Sequence, residues 1–229
     1  MEEKNIVEQL GEQLLYKKEH ACVRDTQEQV AAADVFCEGY KSFLNTSKTE
    51  REAVDSTVVL AKKAGFVPFD KSKTYAAGDK VYFNNHGKSI CLAVIGEEGV
   101  RNGVKIAAAH IDSPRLDLKP IPLYEANELA LLKTHYYGGV KKYQWTAIPL
   151  AMHGVVSKAD GTCVQVNIGE DDHPEEPKFC ITDLLPHLAA DQMGKTLAAG
   201  IAGEDLNILV GSRPVSREKG ENRFKLNVL

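Results

Sequence analysis

Apolar residues return at helical spacing three times before residue 66, and after that the chain turns to short apolar runs separated by turn residues. Ile6, Val7, Leu10, Leu14 and Leu15 predict an amphipathic helix over residues 5–18. Val30, Val35, Phe36, Tyr40 and Phe43 predict a second from about residue 26 to 43. A third opens on Ser47, with Glu50 three residues later as a capping box, and closes at Gly65 behind Lys62 and Lys63. The apolar faces of all three are expected to pack on a sheet. Beyond them, residues 80–83 and 89–95 flank Asn84-Asn85-His86-Gly87-Lys88, a tight hairpin with His86 solvated at its tip. Residues 104–111 read as a buried strand, and Pro114 bars its simple continuation.

After Pro120 the strand-like runs come close together, at residues 130–135, 145–150 and 152–156, and at 163–168 beyond an Ala159-Asp160-Gly161 turn. Pro149 places its run at an edge or a bulge. Residues 181–193 start a short helix with Pro186 in its first turn. The fold class is therefore α/β, helices first and a β-rich stretch after.

Composition narrows the function classes. The chain has 229 residues, enough to bury a core, and a formal charge of −4 with no basic stripe, which argues against a nucleic-acid partner. Its five cysteines are scattered without a C-x-x-C pair, as suits thiols in a reducing compartment. The first residues lack the basic start and apolar core of a secretory signal, and no apolar run reaches membrane-spanning length. A soluble cytoplasmic protein with no membrane partner is expected.

The candidate chemistry sits at the end of the 104–111 run. His110 and Asp112 are two apart, so on an extended backbone they share a face. Asp112 can then accept a proton from one imidazole nitrogen and leave the other free for a metal; the same two residues could equally close an ordinary hydrogen-bonded turn. Gly169-Glu170-Asp171-Asp172-His173-Pro174-Glu175-Glu176 is rich in metal-ligand types, but adjacent acids with no fixed framework read as a solvated loop. His20 is expected in a solvated loop. His135 and His153 are expected in the core or at a dimer contact.

The wider string, Ala109-His110-Ile111-Asp112-Ser113-Pro114 followed by Leu116-Asp117-Leu118-Lys119-Pro120, resembles the metal-site motif of the aspartyl aminopeptidase family of dinuclear zinc exopeptidases. The resemblance continues through Tyr137-Gly138-Gly139, residues 185–189 and residues 208–214, in the family's order, and is nearest to its bacterial branch. It implies His110 as a zinc ligand, Asp112 as its orienting catalytic acid, two zinc ions in the complete enzyme, peptide substrates and a homo-oligomer. It also implies a division: residues 1–120 as the N-terminal part of a zinc-exopeptidase-like peptidase domain, 121–214 as an inserted β-rich dimerisation domain, and 215–229 as the start of a return.

Two positions bear on substrate or dimer contacts. His187 matches one family histidine. Asp191 stands where another family histidine reaches a neighbouring subunit's site, and an acid there is a poorer host for an acidic substrate side chain.

Dinuclear zinc hydrolysis needs a bridging carboxylate, terminal ligands on each metal and a general-base Glu. In the resembled family those follow the point where this chain stops, and Phe224, Val228 and Leu229 look like an uncapped helix opening. Two readings result. One is the N-terminal portion of a zinc metalloaminopeptidase, inactive alone. The other is a non-catalytic dimerisation or partner-binding module. A hydrolase built on Ser113 with His110 and Asp112 is disfavoured, because Pro114 follows directly and no nucleophile-elbow glycines flank it.

Overall fold

The structure, a computed structural model, describes residues 5–16, 18–171 and 173–214. The expected return segment, residues 215–229 with Phe224, Val228 and Leu229, lies outside the described residues, as does Asp172. The chain divides into two units, residues 1–47 and 48–229.

The first unit is helical: α1 (Ile6–Leu14), α2 (Ala21–Arg24) and α3 (Gln27–Asn45). Asn5 caps α1 by accepting from the Val7 and Glu8 amides, while the Glu8 carboxylate accepts from the Asn5 amide. Thr26 and Gln29 do the same for α3. The first predicted helix thus stops at Leu14. His20, expected in a loop, caps α2, its Nδ1 accepting from the Cys22 amide at 3.2 Å. None of the residues in these three helices is buried. The apolar residues of α1 and α3, expected on a sheet, are mostly exposed, Phe36 at 74%, with Val30 and Phe43 half-buried.

In the second unit, α4 (Glu50–Lys63) is capped by Thr49 and Glu52, not by Ser47 and Glu50. Both pairs have capping-box spacing, and the pattern alone cannot choose between overlapping frames. At its other end Gly65, at φ +85°, lets the Phe66 amide return to the Ala61 carbonyl at 2.9 Å, the stop that the sequence predicts. α4 buries Ala53, Val54 and Ala61 and packs on the hairpin β2 (Lys80–Asn85) and β3 (Ser89–Val94). β1 (Val67–Pro68) runs parallel beside β2. The hairpin turn holds His86 and Gly87 in left-handed conformations, with the Gly87 amide donating to the Asn84 side chain.

A second sheet has the order β4 (Arg115–Ala126), β5 (Leu129–Tyr137), β8 (Ile208–Gly211), all antiparallel. Its β4–β5 register slips between Leu118 and Leu123, where Pro120 and Pro122 have no amide to donate, a defect tolerated because β4 is an edge strand. Residue 120, the predicted boundary, therefore lies inside a strand. β6 (Met152–Ser157) and β7 (Cys163–Ile168) form a separate hairpin. Leu132, Ile181, Ile201, Leu206 and Ile208 make the core under the second sheet, with Trp145, Leu150 and Phe179 packed against it. The span after residue 120 is thus rich in strands, as predicted.

Three predicted elements differ. Residues 104–111 belong to no sheet, and residues 104–110 are exposed, with Ile106 80% exposed. A strand is completed by neighbours that take up its amides and carbonyls, and no described strand pairs with this segment. Residues 145–150 are not a strand: Trp145 ends a 3-10 turn (Lys142–Trp145), Ala147 has φ +58°, and only Leu150 bridges, to Phe179. The helix expected over 181–193 is split into a 3-10 turn (Pro186–Leu188) and α5 (Ala190–Met193). The fold is mixed α/β, and among the described residues only β1 and β2 pair in parallel. No described helix is long and apolar enough to cross a membrane.

Candidate functional site

The loop from His110 to Pro114 leads directly into β4, so its geometry is set where β4 meets the end of β5. The His110 ring folds back over Asp112. His110 Nδ1 lies 3.0 Å from the Asp112 carbonyl oxygen and 3.2 Å from its Oδ1. The other carboxylate oxygen, Oδ2, accepts a 2.6 Å hydrogen bond from the Tyr137 hydroxyl. Register puts Tyr137 there, because β5 pairs Tyr137 with Arg115, the first residue of β4. The Arg115 guanidinium covers the Tyr137 ring at 4.3 Å and is held by Asp117 Oδ1 at 2.7 Å and the Ser113 carbonyl at 3.3 Å.

The electrostatics follow from these contacts. The Tyr137 hydroxyl, more than any other group, holds the Asp112 carboxyl below its ordinary range, with help from the residue's own amide and from His110. The same bond pushes the Tyr137 hydroxyl up, since its proton is shared with a carboxylate. The His110 side chain is 83% exposed, so Nε2 faces outward.

Other predicted residues lie elsewhere. His187 sits in the Pro186–Leu188 turn and Asp191 in the first turn of α5. Among the described residues neither is hydrogen-bonded to His110, Asp112 or Tyr137. Among the described residues the Ser113 hydroxyl makes no hydrogen bond to His110, whose Nδ1 faces Asp112. His135 is exposed on β5, not in the core.

The acidic loop is largely exposed among its described residues, as expected, and is tied locally. Glu176 accepts from the Gly169 amide at 2.8 Å, Asp171 pairs with Lys178 at 2.8 Å, and His173 lies 3.4 Å from Glu175. Glu170 meets His153 Nε2 at 2.6 Å, while His153 Nδ1 meets Glu52 Oε1 at 2.7 Å. This half-buried clamp joins α4 to the β6–β7 hairpin. Sequence reading missed it because its partners lie 101 and 17 residues from the imidazole. It missed the role of Tyr137 for the same reason, although the Tyr-Gly-Gly string marked the place.

No group of three or more His, Cys, Asp or Glu among the described residues could hold a metal ion. The His110 group offers one outward imidazole and one orienting acid. Zinc takes four ligands, so these residues suit part of a site and cannot complete one.

A family model described as aminopeptidase I zinc metalloprotease (M18) matches residues 43–229. A probable M18 family aminopeptidase 1 from Clostridium acetobutylicum is 46% identical over 218 residues, covering 93% of this chain and 46% of the relative. The crystal structure of an M18-family aminopeptidase from Thermotoga maritima matches with a TM-score of 0.82 at 39% identity, over 93% of this chain and 46% of that one. An aspartyl aminopeptidase from Aspergillus oryzae is 31% identical over 156 residues, 65% of this chain and 30% of the relative. The chain spans about half the length of the curated relatives it matches.

Proposed function

Because this chain belongs to the M18 family of zinc metalloproteases, we propose that it is the His110-bearing portion of a metalloaminopeptidase that removes N-terminal residues from peptides. The observation that carries this is the engagement of His110 Nδ1 by Asp112, which leaves Nε2 as the outward lone pair that a metal takes. His110 supplies one zinc ligand and Asp112 orients it. Zinc, when bound, polarises the scissile carbonyl and acidifies the attacking water. This chain's own share is to hold one imidazole in the ligating tautomer at the mouth of the β4–β5 pair. The remaining ligands, the second of two ions and the general base come from residues outside this chain's described set. Residues 121–214, with their strands, serve assembly into a homo-oligomer, to which His187 and Asp191 contribute contacts.

The test uses the 229-residue chain alone and combined with the remaining half of an M18 aminopeptidase. Stripped of metal and resupplied with zinc, manganese or cobalt, each is assayed on aminoacyl substrates including Asp, Glu and Leu. The chain alone is expected to stay at background, since loss of an essential member of a catalytic unit costs orders of magnitude. The combination gains chelator-sensitive turnover, which His110→Ala abolishes and His173→Ala barely changes. Equal losses from both substitutions, or robust turnover by the isolated chain, overturn the reading.

A further inference from the structure

We propose that Tyr137 is a positioning residue, whose hydroxyl fixes the tautomer and orientation of His110 by pinning the Asp112 carboxylate. The functional consequence rests on His110 being a zinc ligand; the tautomer does not. Both groups facing His110 Nδ1, the carbonyl and the carboxylate of Asp112, can only accept, at 3.0 and 3.2 Å. The proton of the neutral ring therefore sits on Nδ1 and the lone pair on Nε2. A carboxylate held through one oxygen is free to turn about its Cβ–Cγ bond and swing that oxygen away. Tyr137 removes that freedom by donating to Oδ2 at 2.6 Å, so two points fix the plane of the group.

Tyr137 is in turn held from three sides. Its backbone pairs with Arg115 at the end of β5. Its ring lies beneath the Arg115 guanidinium at 4.3 Å, and that guanidinium is tied to Asp117. The next residue, Gly138, runs at φ +99° so close over Pro114 that an added Cβ would stand 2.6 Å from the Pro114 Cα. The end of β5 is thus seated on the His110–Pro114 loop, and the hydroxyl cannot drift from Asp112. A residue that only filled space here would leave the histidine tautomer untouched.

The 229-residue chain, metal-free and labelled with 15N-histidine, is examined by long-range 15N–1H correlation near pH ~8, above the ordinary histidine range. His110 is expected mainly as the Nδ1–H form. Tyr137→Phe should shift it toward the Nε2–H form favoured by solvated imidazole and leave the other histidines unchanged. Asp112→Ala should give the same shift, and the double variant no further one. A His110 already mixed in the parent chain overturns the proposal without need of any variant, as does an unmoved His110 in folded Tyr137→Phe. In the combined enzyme, Tyr137→Phe should lower zinc affinity about tenfold or more in competition with a chromogenic chelator. If His110→Ala keeps its zinc while Tyr137→Phe shifts the tautomer, the ligand reading falls and the positioning role stands.

Discussion

Gly138→Ala places a methyl group where the structure has none to spare. The new Cβ would lie 2.6 Å from Pro114 Cα, 2.9 Å from its Cβ and 3.2 Å from its Cγ. Reaching ordinary contact at 3.4 Å requires the backbone of one strand end to retreat by about 0.8 Å, since the nearest atom is main chain and cannot rotate away. The residue also stands at φ +99°, which costs an L-residue about 1–3 kcal/mol. Overpacking adds about 1–3 kcal/mol, so a total loss of about 2–6 kcal/mol is expected. The neighbour provides the control: Gly139 has no heavy atom within 4 Å of its added Cβ and no positive φ. Gly139→Ala should stay within about 0.5 kcal/mol of the parent or stabilise slightly. Urea unfolding followed by the fluorescence of Trp145, the only tryptophan and packed on the core, measures both. A Gly138→Ala variant within 0.5 kcal/mol (about one RT) of the parent, or no worse than Gly139→Ala, would refute the argument that β5 is seated on Pro114.

Three further outcomes are expected. Leu206→Ala, at a fully buried core position, should cost about 2–5 kcal/mol by the same urea titration, whereas Leu188→Ala, 64% exposed, should cost little. His153→Ala should cost about 2–4 kcal/mol, because Glu52 and Glu170 then lose the ring that bridges them; adding Glu170→Gln should recover part of the loss, and no recovery would argue against the clamp. Acid should weaken the fold: hydrogen bonds from Ser72, Thr162, Lys178 and Lys119 hold Asp70, Asp160, Asp171 and Glu204 below their ordinary values of 3.8 or 4.5. A carboxyl depressed in the folded state stabilises it above its unfolded value and loses that contribution as pH falls through the lower folded one. The thermal midpoint should therefore be level near neutrality and decline once pH drops into the ordinary carboxyl range, and a midpoint that rose on acidification would contradict these contacts.

Local features were legible because they are decided over a few residues. The helical periodicity of α3 and α4, the Gly65 stop, the hairpins β2–β3 and β6–β7 and the Asp160 turn all follow from side chains within about one turn or one strand of each other. The His110–Asp112 contact belongs with them, since its partners are only two residues apart. The motif around it carried the family as well.

Tertiary structure decided what needed a distant partner. A small-residue apolar run made residues 104–111 read as a buried strand, but burial comes from neighbouring strands and no described strand pairs with it. Ser47 and Thr49 offered overlapping capping boxes, and only the path of the chain into α4 chose Thr49. Pro120 breaks the local strand pattern, yet an edge strand carries its missing amide through a register slip. Tyr137 came to Asp112 through the pairing of β4 with β5, 25 residues along the chain, and His153 met Glu52 across 101. Sequence spacing specifies contacts that the local backbone makes by itself; contacts that close long loops depend on register and packing, which no local pattern encodes.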